Sequence, residues 1–105
     1  MKAPEEKKLN GLERIALEFG RQSKLAGRTI EQDDELDNGE LALAATVYAT
    51  PPDRRMFDTF GIPQDWPWSL DQWSPSPNDR IEELAKAGAL IAAEIDRISR
   101  ARGEA

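Results

Sequence analysis

The stretch that decides the fold is Asp37-Asn-Gly-Glu-Leu-Ala-Leu-Ala-Ala-Thr-Val-Tyr-Ala49. Asp37 opens it with Glu40 three residues on, the spacing of a capping box. Pro51 and Pro52 close it, because the residue before a proline is pushed out of the helical region. Leu41, Ala44, Ala45 and Tyr48 share one side of such a helix, and Ala42, Ala45 and Ala49 share another. A helix that is apolar nearly all round has to be surrounded. At about 12 residues it is marginal alone, so burial must supply most of its stability. The sequence therefore predicts a helix over 38–50 inside an all-α core.

Two longer amphipathic segments flank it. Upstream, Leu9, Leu12, Ile15, Ala16 and Phe19 recur at three- and four-residue steps and predict a helix over 4–26. Pro4 suits a first turn, Glu5 and Glu6 complement the helix dipole, and Gly27 marks the end. Downstream, Ile81, Leu84, Ala85, Gly88, Ile91, Ala92, Ile95 and Ile98 form one apolar stripe and predict a helix over 77–100. Ser76 suits its N-cap, with Pro77 in first position and Asp79 closing the box. Glu82 and Lys86 are spaced for an ion pair one turn apart. Gly88 and Ala92 leave a gap in the stripe that either receives the alanines of the 38–50 helix or serves self-association.

The connections carry their own signals. Arg28 to Leu36 is dense in acid: Glu31, Asp33, Asp34 and Glu35. Residues 51–76 form a long Trp/Pro-rich loop punctuated by Gly61, Pro63, Pro67 and Pro75, with a short helical turn expected around 54–60. Phe57, Phe60, Trp66, Trp68 and Trp73 predict that this loop is ordered and packed across the helices, since aromatic side chains bury large areas. The expected architecture is one domain, 1–105, of three principal helices under a Trp/Pro cover, fraying after 101.

Composition narrows the function. The net charge of −6 disfavours direct binding to a phosphate backbone. There is no cysteine and no histidine, so thiolate sites, disulfides and imidazole chemistry are excluded. No apolar run approaches the roughly 20 residues of a membrane span. The first ten residues are charged and lack the apolar stretch of a signal peptide, which points to a soluble, intracellular protein with no membrane partner.

Three groups of side chains carry candidate chemistry. Asp33, Asp34, Glu40 and Glu83 are candidate Mg²⁺ ligands with Glu18, because hard cations take carboxylate oxygens; the alternative is a solvated acidic loop and a helix cap. Glu18, Arg21 and Gln22 lie within one turn and can read a phosphate or a base edge, or form an internal polar network with the acidic connection. Trp66, Trp68 and Trp73 form either a stacking wall for a purine or a partner's side chain, or a hydrophobic lid over the core. Tyr48 and Lys86 are also assigned to the ligand-binding set. No cofactor is implied by these residues unless the carboxylates hold Mg²⁺.

The run Glu18-x-x-Arg21-Gln22, Gly27, Thr29, Glu31-x-Asp33-Asp34-Glu35, Gly39-Glu40-Leu41-Ala42-x-Ala44-Ala45, Tyr48-Ala49 resembles a module of small phage and prophage accessory proteins. So do Trp66-Pro-Trp68, Trp73-x-Pro75 and Lys86-Ala-Gly-Ala-Leu-Ile91-x-Ala-Glu94-Ile95-x-Arg97. The resemblance spans 18–100; members commonly carry histidine where Gln32 and Leu36 stand. It implies a protein of the host-cell cytoplasm, one that binds a nucleotide-type ligand or a basic host protein, as in countering a defence system. There is also a vaguer similarity to all-α MazG-type nucleotide pyrophosphohydrolases, whose paired acidic helix motifs hold Mg²⁺. Glu82-Glu83-Leu-Ala-Lys86 begins like one such motif, but Lys86 stands where an aspartate belongs, and a lysine repels a cation. Three functions follow: a non-catalytic binding protein, a Mg²⁺-dependent hydrolase using Glu18, Asp33, Asp34, Glu40 and Glu83, and a structural protein that only oligomerises. The apolar surface points to a homo-oligomer in each case.

Overall fold

The computed structural model describes residues 8–24 and 28–104. The chain is all-α, with four helices among the described residues: α1 Gly11–Lys24, α2 Ile30–Asp34, α3 Glu40–Ala49 and α4 Arg80–Ala101. Two single 3₁₀ turns, Pro52–Arg54 and Leu70–Gln72, punctuate the long loop, and no strand occurs among the described residues. No described helix is long and apolar enough to cross a membrane.

The helix starts differ from expectation for reasons local to each. α1 begins at Gly11 because Asn10 and Glu13 make a reciprocal capping box, each side chain accepting from the other's backbone N–H at 2.9 Å. Pro4, Glu5, Glu6 and Gly27 lie outside the described residues. The acidic connection contains α2, nucleated by a second box in which Thr29 Oγ1 accepts from Gln32 N and Gln32 Oε1 accepts from Thr29 N. Asp37 does not cap α3. Gly39 does so, at φ 81°, a left-handed conformation that a glycine adopts without penalty. Glu40 Oε1 instead accepts from Asn38 N at 2.7 Å. α4 is capped by Asp79, which accepts from Glu82 N, so the helix starts three residues later than the Ser76–Pro77 reading.

α4 is the axis: α1, α2 and α3 each pack against it. Its inner side sets Ala87, Leu90 and Ala93 against Leu41, Ala44, Ala45, Val47 and Tyr48 of α3, and Trp66 closes the cluster. Leu41 has no exposed surface; full burial of such a side chain is worth about 1.5–3 kcal/mol. α3 is sheathed by α4 and the Trp-bearing loop rather than by both long helices. Its outer residues Ala42, Leu43, Thr46 and Ala49 stay exposed.

The aromatic cover is ordered as expected. Trp66 stands edge-on to Tyr48, Trp68 and Trp73, with ring centroids 5.7, 5.4 and 5.1 Å away. Trp66 Nε1 donates to Ser69 O, and Ser74 N donates to Tyr48 Oη. Phe57 and Phe60 do not join this cover. They project from the loop between Met56 and Gln64, where Asp58 Oδ1 accepts from the backbone of Phe60 and Ile62 and turns the chain outward. The expected turn at 54–60 is replaced by Pro52–Arg54 and an isolated bridge between Phe57 and Pro63.

The apolar stripe of α4 is likewise displaced. Gly88 does receive a neighbour, but from α1: a Cβ at Gly88 would lie 2.5 Å from Ile15 Cδ1. Ile81, Leu84, Ile91 and Ile95, expected in the core, are 54, 46, 48 and 58 % exposed.

Candidate functional site

The strongest polar feature surrounds Glu83, which has no exposed surface at all. Arg55 grips it bidentately, Nη2 to Oε1 at 3.0 Å and Nη1 to Oε2 at 3.2 Å; Arg80 Nη1 and Ser76 N complete the set at 3.1 and 3.2 Å. Burial alone would raise the pKa of this carboxyl, but the hydrogen bonds from Arg55, Arg80 and Ser76 overcome it and hold it below the ordinary value.

The same arginines finish α3. The last carbonyls of a helix have no partner within it. Arg55 donates to Val47 O and Tyr48 O, Arg80 to Tyr48 O and Ala49 O, and Thr50 to Thr46 O. Two cations at a helix C-terminus also complement its dipole. Glu83 is therefore the counter-charge of a structural clamp. Lys86, one turn on, is drawn into the same architecture: Nζ donates to Ser74 O at 2.7 Å and Ser76 Oγ at 3.1 Å and sits 5.6 Å from the Tyr48 ring centroid. It makes no pair with Glu82, because the returning loop offers it closer acceptors.

Arg55 and Arg80 were not among the residues singled out from sequence. The available signal was local misfit. An arginine in the first turn of α4 stands where the dipole disfavours a cation, and Arg55 follows within a few residues of the end of α3.

A second network lies on α1. Arg21 donates Nε to Glu18 Oε2 at 2.9 Å and Nη2 to Oε1 at 2.6 Å, and Gln22 Nε2 donates to Glu18 Oε1 at 3.3 Å. Burial would raise the Glu18 pKa; Arg21, Gln22 and the charge of Lys86 together lower it. With Gln22 Nε2 turned to a carboxylate, its Oε1 has to face away, since reversing the amide would set two acceptors together. That oxygen is buried and has no hydrogen-bond partner among the described residues.

Gln22 lines a groove of about 520 Å³ with Arg28, Gln32, Glu35, Leu36, Trp68 and Gln72. Of the eight binding candidates, this groove collects Gln22 and Trp68. Glu18 and Arg21 line a neighbouring groove of about 260 Å³ between α1 and the start of α4. Tyr48, Trp66 and Trp73 pack on one another in the cover, and Lys86 ties that cover to α4.

The four metal candidates are dispersed. Asp34 Oδ1 accepts from Arg100 at 2.8 Å, Glu40 caps Asn38, and Glu83 lies in the arginine clamp. Asp33 Oδ1 lies 3.0 Å from Arg28 Nε, but the N–H is not aimed at it, so this buried oxygen keeps an unused hydrogen-bonding capacity. Burial raises the Asp33 pKa, outweighing the attraction of Arg28 and Arg100. Among the described residues no three carboxylates meet as a metal site. No family model, curated protein or solved structure matches this chain.

Proposed function

We propose that this chain is a non-catalytic binding protein whose groove beside Trp68 takes a nucleobase-bearing small molecule. The observation that carries the reading is Gln22 Oε1, a buried acceptor with no partner among the described residues, on a residue that is 8 % exposed and lines that groove. A buried polar atom left without a partner costs about 1–3 kcal/mol, and a ligand N–H would restore that bond once a small shift of the Gln22 side chain turns the oxygen into the groove. A base supplies such a donor on its exocyclic amine. It also supplies a flat face for Trp68 and acceptors for the Gln32 and Gln72 amides, while Arg28 is the cation among the lining residues, suited to a phosphate. The volume falls within the range of small-molecule sites, about 300–1,000 Å³. The motif resemblance to phage accessory proteins gives such binding a use: capture of a host nucleotide signal without turning it over.

The test is a thermal-shift series with purine and pyrimidine nucleotides and cyclic dinucleotides. A ligand at a hundred times its Kd stabilises by about 2.7 kcal/mol. The expected result is a shift with at least one purine compound, lost in Gln22→Leu and in Trp68→Ala while both variants keep the wild-type helical signal. No shift with any of these compounds, or a shift that both variants retain, overturns the reading.

A further inference from the structure

We infer that Asn38–Gly39 is a self-modification site, at which Asn38 cyclises onto the backbone and is converted to aspartate and isoaspartate. The reaction needs only the chain and water. Gly39 N attacks Asn38 Cγ, the new C–N bond closes a succinimide ring, and the side-chain amide leaves as ammonia, taking the proton of Gly39 N. Water then opens the ring at one of its two carbonyls. Opening at the side-chain carbonyl gives aspartate. Opening at the backbone carbonyl gives isoaspartate, in which the main chain runs through the former side chain.

The chain has three asparagines, Asn10, Asn38 and Asn78, and all are exposed. The fold treats them differently. Asn10 also precedes a glycine, but its Oδ1 accepts from Glu13 N at 2.9 Å, so its carboxamide is committed to the start of α1. Asn78 is followed by Asp79, whose N–H already donates to Ser76 O at 3.0 Å, and whose side chain hinders ring closure. At Asn38 neither partner is engaged. Among the described residues its carboxamide has no hydrogen-bond partner and Gly39 N donates to no acceptor. Asn38 N donates to Glu40 Oε1 at 2.7 Å, which fixes the backbone and leaves the side chain free. No atom outside the adjoining residues lies within 4 Å of where a Gly39 Cβ would stand, so the ring has room to close. The positive end of the α3 dipole also favours the anionic nitrogen that attacks.

The two products act differently on α3. Aspartate adds one negative charge where the dipole favours it. Isoaspartate inserts a methylene into the main chain directly before the Gly39 cap, close to Leu41, which has no exposed surface. This inference uses none of the residues of the Trp68 groove.

Peptide mapping by mass tests it, after days in mildly alkaline buffer, on the native chain and on the chain unfolded in guanidinium chloride. In the native chain Asn38 should convert first, with Asn10 behind it by about fivefold for an N-cap of ordinary strength. In the unfolded chain the two rates should converge, since both residues precede a glycine. Asn38→Gln should abolish the earliest gain of negative charge while keeping the native helical signal. A native Asn38 that converts no faster than Asn10 overturns the inference. So does an Asn38 that stays intact in the fold while converting in denaturant, or an early charge gain that Asn38→Gln retains.

Discussion

On one side of α4, Glu83, Ala87, Leu90 and Ala93 meet α3 and the aromatic loop, and Glu83 is held by two arginines and a backbone N–H. On the other side, Ile81, Leu84, Ile91 and Ile95 meet water. The residues with the greater apolar bulk lie outside. The inner side is built from small alanines that let α3 approach and from one buried carboxylate that ties together two helices and a loop. Side-chain hydropathy alone would assign the two faces the other way round; closeness of approach and polar matching decide which becomes core.

The largest way to break this contrast is Glu83→Ala. Removing one partner of a buried ion pair leaves the arginines uncompensated and typically costs about 3–5 kcal/mol, readable as a fall in the denaturation midpoint. Glu83→Gln should cost less and sharpen the point in acid. The Glu83 pKa is lower folded than unfolded, so its contribution is present above the ordinary carboxylate range and is lost as pH falls through the native value. Glu18 has the same sign. Asp33 has the opposite sign: its native pKa is raised, so its ionisation opposes folding and its protonation favours it. Chemical denaturation across the acid range should show Glu83→Gln with a shallower decline than wild type and Asp33→Asn with a steeper one.

Gly88→Ala is the intermediate case, at the seam between the two faces. The new Cβ meets Ile15 Cδ1 at 2.5 Å and Cγ1 at 2.6 Å, and a β-branched side chain has few rotamers to retreat into. Overpacking of this kind costs about 1–3 kcal/mol, and the double variant with Ile15→Ala should recover part of it. The smallest effect belongs to the open face. Ile95→Ser should change protomer stability at high dilution by no more than about 0.5 kcal/mol, against about 2–5 kcal/mol for Leu90→Ala on the inner face of the same helix.

The helical class, the approximate placing of α3 and α4 and the ordered tryptophans were legible from periodicity, proline stops and aromatic content. The choice of face on α4 was not. Periodicity reports that a stripe exists without saying what covers it, and α4 carries two. α2 was hidden by its brevity, although Thr29 and Gln32 carried the box that starts it. At the candidate site, the sequence left Glu18, Arg21 and Gln22 open between a ligand site and a network with the acidic connection, whereas Arg21 and Gln22 both turn to Glu18 on their own helix. The open acceptor on Gln22 emerges only once Glu18 has claimed the other end of the amide. The Glu83–Arg55 pairing spans 28 residues of chain and no local rule reports it.

The clamp on the end of α3 sets an order of events during synthesis. Val47, Tyr48 and Ala49 rely on donors from Arg55 and Arg80, and the packing surface of α3 rests on Ala87 and Leu90. A ribosome must therefore deliver α4 before the most apolar segment finds shelter. Until then that segment is bait for chaperones, and a translational pause ahead of α4 would lengthen the exposure.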